Sequence, residues 1–325
     1  MAEKLTVSPS PHLSGEASTS RIMRDVVYAL LPALAVSVLF FGVSSLLIAA
    51  IAIFSCVAFE WLIQKYLLSV AKPTINDCSA LLTGLLLSFN LPASTPWWIV
   101  VIGSLVAIGV AKMTFGGLGK NPFNPALVGR VFLLIAYPVQ MTSFPRVENF
   151  ADAFSGATAL SAVKSGSVLL DNVSLQDMFV GSIPGSLGEV SALFLILGGL
   201  YLLWRKVISW HIPVAVLATM FVFATICGLT QYGATVGSAL IFSTFHIFAG
   251  GALLGAIYMA TDYSTSPMTH KGMLVYGVGI GLITMVIRLW GAYPEGISFA
   301  ILIMNAVTPL INKYIKPTRF GKVNK

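Results

Sequence analysis

The sequence predicts an all-α, polytopic membrane protein: about ten transmembrane helices in two five-helix halves of inverted topology, with one long extracytoplasmic loop. Three observations predict it. Hydrophobic residues make up 57% of the chain and charged residues 10%, and the mean hydropathy is +0.88. A soluble surface needs more charge than this, and apolar runs of bilayer-spanning length are the direct sign. Basic residues segregate to one set of loops, and two stretches of the chain echo two others at a nearly constant offset.

The apolar runs, bounded by Pro, Gly or charge, fall at 26–43, 44–68, 78–91, 96–111, 125–140, 189–204, 211–228, 235–260, 272–290 and 297–312. The third is too short to cross as a regular helix and reads as a half helix. The chain divides into a polar, Ser- and Pro-rich cytoplasmic tail (1–21), a first transmembrane half (22–140), an extracytoplasmic loop (141–188), a second half (189–312) and a basic cytoplasmic tail (313–325). No cleavable signal is visible at the start of the tail. With the N-terminus inside, ten crossings return the C-terminus inside, and 15 of the 19 Lys and Arg residues then lie on cytoplasmic segments. That is the positive-inside pattern of a multi-pass membrane protein with both termini cytoplasmic. The net charge of +7 is therefore a topology signal; the lipid bilayer is a partner and nucleic acid is not.

SALLTGLLLSFNLPASTP (79–96) resembles GALLGAIYMATDYSTSP (251–267), with Pro96 and Pro267 offset by 171 residues. NPFNPALVGRVFL (121–133) loosely matches YPEGISFAILIMN (293–305), with Pro122 and Pro294 offset by 172. In the topology above the first copy starts inside and the second outside, the inverted arrangement shared by many transport folds.

Few residues carry chemistry. Cys56, Cys78 and Cys227 are far apart with no CxxC pair, so cysteine-held clusters or zinc are not expected, and no metal site is. GGLGKNPFNPALVGR (116–130) suggests a phosphate loop, but Lys120 is followed by Asn121 rather than Ser or Thr, and the spacing fails. Asn121 and Asn124, beside Pro122 and Pro125, suit a helix N-terminus; the competing reading matches their amides to the donors and acceptors of a flavin ring edge. Asp262 in ATDYSTSP (260–267) reads as a cap or as a point on an ion path at a broken helix. Glu60 and Arg130 are ionisable groups within spans, costly in lipid unless they face a cavity or a partner. Of the four histidines only His246 is clearly within a span, which argues against a bis-histidyl haem.

The long loop carries DAFSGATAL (152–160). Its small neighbours leave the backbone around Thr158 adaptable, and read by itself it is a flexible loop. The motif resembles the flavin-attachment signature of a family comprising the D subunit of Rnf-type ion-translocating ferredoxin:NAD oxidoreductases and the B subunit of the sodium-pumping NADH:quinone reductase. KNPFNPALVGR (120–130) and ATDYSTSP extend the resemblance over the whole membrane part, and the length suits the Rnf branch. The resemblance implies FMN esterified through its phosphate to Thr158, with Asp152, Ser155, Gly156 and Ala157 as the attachment motif, installed by a flavin transferase that uses FAD. It further implies a non-covalent riboflavin near Asn121 and Asn124. The implied partners are the other Rnf subunits: an extracytoplasmic, FMN-bearing G subunit, the A and E membrane subunits, and the B and C cytoplasmic subunits. Together they would form a translocase that couples ferredoxin:NAD oxidoreduction to Na⁺ or H⁺ movement. The rival expectation is a ten-helix solute channel or permease without a redox cofactor, which the repeat alone accommodates.

Overall fold

A computed structural model describes residues 18–69, 74–149, 152–156, 158–164, 174–181, 185–189, 191–231, 235–293 and 295–317; most of the polar N-terminal tail and Ala157 lie outside them. Helix α1 (Thr19–Phe41) starts where Ser18 accepts from the Arg21 amide, and takes in the last three residues of the stretch read as tail. It ends at Gly42, whose φ of +72° turns the chain in one residue and whose N–H donates to the Val38 carbonyl. Glycine is suited to that left-handed position. α2 (Val43–Leu62) follows at once and closes in a π-helical turn, Ile63–Leu67.

The short third run is a half helix, α3 (Ser79–Phe89). Gly84 lets it lie directly on α2, because a Cβ there would stand 2.7 Å from the Ile53 Cα, the close approach that small residues allow between membrane helices. α4 (Trp97–Leu105) continues as a π-helical stretch, Val106–Met113, and α5 (Pro125–Ala136) packs on both. The run read as one span to residue 140 stops earlier: Tyr137 leaves the helical region ahead of Pro138, and a separate turn, α6 (Pro138–Thr142), follows. A residue before proline is pushed out of the α conformation by the pyrrolidine ring.

The long loop is more ordered than its composition suggests. β1 (Phe144–Asn149) and β2 (Asp152–Gly156) form an antiparallel ribbon, with Phe144 opposite Gly156 and Pro145 opposite Ser155. Short helices α7 (Ala159–Lys164) and α8 (Leu175–Val180) follow. The attachment motif through Gly156 thus lies on a strand, where the sequence suggested only loop.

The second half holds α9 (Ala192–Trp204), α10 (His211–Gln231) and α11 (Val236–Phe248), then α12 (Ala252–Leu254, continued by a π-helical stretch, Gly255–Met259), α13 (His270–Trp290) and α14 (Ile297–Tyr314). The run expected as one span at 235–260 is broken: α11 and α12 meet at 63°, across Gly250 and Gly251, both at positive φ. Five helices of the described residues are long and apolar enough to cross a membrane, six if the bent pair is one span, and four shorter apolar helices accompany them. Apart from the ribbon the described fold is helical. The repeat survives locally, since α3 and α12 are both short arms that end ahead of Pro96 and Pro267.

Polarity is turned as a lipid environment demands. Leu39, Phe54, Leu67 and Trp204 are 72–80% exposed, whereas Ser37, Ser104 and Thr284 are fully buried. Large apolar side chains facing out and hydroxyls facing in suit hydrocarbon rather than water. One principal core joins α1, α3, α9, α10, α12, α13 and α14, and α5 meets α14 across the two halves.

Candidate functional site

Two cavities lie near the two ends of α5. The first holds Thr158. Its residue is 5% exposed; Oγ1 accepts from the Ser161 amide at 3.2 Å and donates to Ser161 Oγ at 3.1 Å, the hydroxyl cap expected of Thr at the start of a helix. The capped turn, α7, is docked rather than loose. Leu160 is buried against Met178, Phe245 and Ala249. Lys164 Nζ donates to the carbonyls of Gly291 (2.6 Å), Tyr293 (3.2 Å) and Ile287 (3.3 Å) at the end of α13. Partial burial pushes the Lys164 ammonium pKa below its ordinary value.

Thr158 and Ser161 share a cavity of about 590 Å³ with Phe144, Tyr293, Glu295 and Arg130. Arg130, on α5, is 2% exposed. Its Nη2 donates to Glu295 Oε2 at 2.7 Å, and its buried Nη1 has no partner among the described residues. The intramembrane cation singled out by the sequence therefore has both a carboxylate partner, 165 positions away, and a donor to spare. Asp152, Ser155 and Gly156 are brought to this region by the ribbon, as strand positions leading into Thr158.

The second cavity, about 720 Å³, is lined by Asn121, Asn124, Ser79, Lys112, Tyr258 and Asp262, among others. Six residues separate Asn124 from Arg130, roughly 9 Å of helix at 1.5 Å per residue, so a single helix reaches from one cavity to the other. Both asparagines are 3% exposed, and both amides are already engaged. Asn121 Oδ1 accepts from the Gly119 amide and its Nδ2 donates to the Phe123 carbonyl at 3.0 Å. Asn124 Oδ1 accepts from the amides of Ala126 (3.1 Å) and Leu127 (3.4 Å), while Nδ2 donates to the Met259 carbonyl at 3.1 Å. The capping reading describes Asn124, which also ties α5 to the end of the second half-helix arm; Asn121 instead braces the turn ahead of it. Asn124→Ala is expected to cost about 1–2 kcal/mol from the cap alone, with Asn124→Ser recovering part; thermal unfolding in detergent checks it, and an unchanged midpoint would contradict it.

Opposite the asparagines sits a buried polar cluster. Lys112 and Glu60 are each 1% exposed, with Nζ 2.7 Å from Oε2. Lys112 also donates to Ser79 Oγ at 2.6 Å, and Gln64 Nε2 donates to Glu60 Oε1 at 3.2 Å. The charge pattern of the sequence counts Lys112 among the cytoplasmic surface charges; it is instead inside the bundle, where an unpaired charge would be prohibitive. The π-helical stretches carry Gln64, Lys112 and Tyr258, and such widened turns are frequent at functional sites. Asp262, half-buried at the cavity, accepts from Ser264 Oγ at 2.9 Å and from Thr265 Oγ1 at 3.3 Å. Burial raises its pKa, and these hydrogen bonds oppose the rise.

Other functional candidates were not legible as such. Asn305 on α14 is 1% exposed. In the amide orientation that satisfies both ends, its nitrogen donates to Tyr276 Oη (2.5 Å) and its oxygen accepts from the Asn124 amide (3.1 Å). An asparagine within an apolar span was the available signal. Arg288 lies in the last turn of α13, buried, with its guanidinium on the carbonyls of His246, Ala249 and Gly250. His246 itself is buried with neither ring nitrogen partnered among the described residues.

Comparison with known proteins finds relatives that match nearly the whole chain. The D subunit of a Na⁺-translocating ferredoxin:NAD⁺ oxidoreductase complex from Acetobacterium woodii is 47% identical, over 98% of this chain and 95% of its own. The D subunit of a proton-translocating ferredoxin:NAD⁺ oxidoreductase complex from Clostridium ljungdahlii is 43% identical, over 97% and 96%. The D subunit of an ion-translocating oxidoreductase complex from Stutzerimonas stutzeri is 39% identical, over 94% and 93%. The model of the NQR2, RnfD, RnfE family matches residues 6–321, and the chain belongs to that family.

Proposed function

We propose that this chain is the D subunit of an ion-translocating ferredoxin:NAD oxidoreductase complex, and that it carries FMN as a phosphoester on Thr158. The observation that supports the flavin most directly is the seating of Thr158 on the wall of a cavity with a buried, incompletely paired guanidinium. Apolar and aromatic side chains, Phe144 and Tyr293 among them, suit a ring system, and Arg130 suits its negative charge.

Attachment replaces the hydroxyl hydrogen of Thr158. Its Oγ1 forms a bond to the FMN phosphorus of FAD, the pyrophosphate bond breaks, and AMP leaves with the proton. A flavin transferase must reach that oxygen, and at 5% exposure it is covered. Modification then precedes the docking of α7, or α7 lifts from the end of α13 as Lys164 releases its three carbonyls. The ester removes the hydrogen bond from Thr158 to Ser161 Oγ but leaves an oxygen for the Ser161 amide.

When bound, the flavin supplies one- and two-electron transfer, and the protein sets position, burial and potential. In that reading electrons would come from the extracytoplasmic, FMN-bearing G subunit and leave towards the B and C cytoplasmic subunits, with the A and E subunits as membrane neighbours. The second cavity is the proposed seat of a non-covalent riboflavin, with Asn121 and Asn124 on its wall and their amides holding the α5 entrance. Coupled ion movement follows from family membership, with relatives named for Na⁺ and for protons.

The test is intact-protein mass and in-gel flavin fluorescence of wild type and Thr158→Ala, each co-expressed with a flavin transferase. Wild type is expected to fluoresce and to be heavier by one FMN less one water, and Thr158→Ala to do neither. An unmodified, colourless wild type from a host with an active transferase would remove the flavin reading and bring a solute channel or permease forward.

A further inference from the structure

Arg130 is the buried group that the fold has left with a charge to share. It occupies the wall of the Thr158 cavity, is 2% exposed and has one guanidinium nitrogen on Glu295. Nη1 is buried without a partner among the described residues. An orphaned donor on a charged group is expensive in a low-dielectric interior, and a structure retains one where a ligand completes it. The pair also bridges the halves, with Arg130 on α5 and Glu295 in the approach to α14. Glu189 and Arg288 interact electrostatically with it from the second half, so the charges around the cavity come from both halves and nearly balance.

We propose that Arg130 is the cofactor-binding cation of this cavity and sets the potential of the flavin, by placing its unshared N–H and its charge against the negative charge that reduction creates. This rests on the reading of Thr158 as the flavin anchor. Two electrons and one proton convert the neutral oxidised ring to its reduced monoanion, the electrons coming from the reduced flavin of a partner subunit. A fixed cation in a poorly screened site favours that anion. Glu295 moderates the effect: it neutralises part of the guanidinium charge and holds it in one orientation. The two residues therefore act in opposite directions on the same equilibrium.

The experiment is spectroelectrochemical titration of the full chain, purified with its covalent flavin from a host supplying the transferase, as wild type, Arg130→Gln, Arg130→Lys and Glu295→Gln. In-gel fluorescence first establishes that each variant carries flavin. Arg130→Gln is expected to move the midpoint to more negative potential and Glu295→Gln to more positive. Each change is on the order of tenfold in the two-electron equilibrium, about 30 mV. Arg130→Lys keeps the charge and stays near wild type. If Arg130→Gln does not accumulate, Glu295→Gln, which leaves the cation in place, decides alone. Flavin attached at unchanged potential in the variants that accumulate overturns the role of Arg130. A wild type without flavin on Thr158 overturns the underlying reading as well, and the fluorescence step separates that result from the others.

Discussion

Lys112→Met alone is expected to destabilise the chain by about 3–5 kcal/mol, and Lys112→Met combined with Glu60→Leu to recover most of that loss. The asymmetry follows from burial. Both side chains are 1% exposed, so the single change strands a carboxylate in a low-dielectric interior with Gln64 as its one remaining donor among the described residues. The double change removes both charges at once, and apolar replacements of similar volume restore packing without a desolvation penalty. Ser79 loses the Lys112 contact in either case, but its hydroxyl keeps Asp77 Oδ1 at 2.6 Å. Thermal unfolding in detergent, followed by fluorescence-detected gel filtration, reads both variants on one scale. A single variant as stable as wild type would mean that water or lipid headgroups reach Glu60. A double variant no better than the single would mean that the network has a role beyond balancing its own charges.

Arg288→Met should be comparably severe, above about 4 kcal/mol, the range that signals loss of a buried network. The break between α11 and α12 frees carbonyl groups with no helical partner, and in a membrane interior these cannot turn to water. Arg288 supplies them. Its Nη2 lies 2.8 Å from the Ala249 carbonyl and 3.0 Å from that of Gly250, and its Nη1 reaches the His246 carbonyl. Each buried acceptor left open costs about 1–3 kcal/mol. Arg288→Lys is expected to recover only part, since one ammonium cannot reproduce the planar fork. Limited proteolysis should find new cleavage near residues 249–251 in Arg288→Met, and an uncut joint with a wild-type unfolding midpoint would refute the assignment.

These two sites show where sequence reading reaches its limit. The spans were legible because each crossing must satisfy its own backbone and face lipid with apolar side chains, so the signal is local and long. The half helix at 79–89 was legible for the same reason: a short apolar arm bounded by Pro cannot cross. Its counterpart at 252–259 was visible as a repeat of sequence, but its separation from the helix before it was not. The Gly250–Gly251 pair was on view inside the run read as a single span, but a glycine pair is compatible with a straight membrane helix until a neighbour such as Arg288 captures the freed carbonyls.

The chemistry-bearing residues divide along the same line. Thr158 was singled out by its motif, and Asn124 by the proline and asparagine of a helix entrance; both are properties of a few consecutive residues. That Thr158 is covered, and shares a cavity with a cation from α5, is not. Arg130 finds Glu295 across 165 positions, Lys112 finds Glu60 across 52, and Asn124 finds Met259 across 135. The sequence by itself determined a membrane-embedded helical chain, most of its apolar helices and the motif that singles out Thr158, because hydropathy, capping and motif act over short range. Only the tertiary structure decided which charges are paired, which donor is left over and where the helix breaks. Those outcomes depend on groups that meet only when distant segments pack, and a buried charge is tolerable only beside the partner that packing brings.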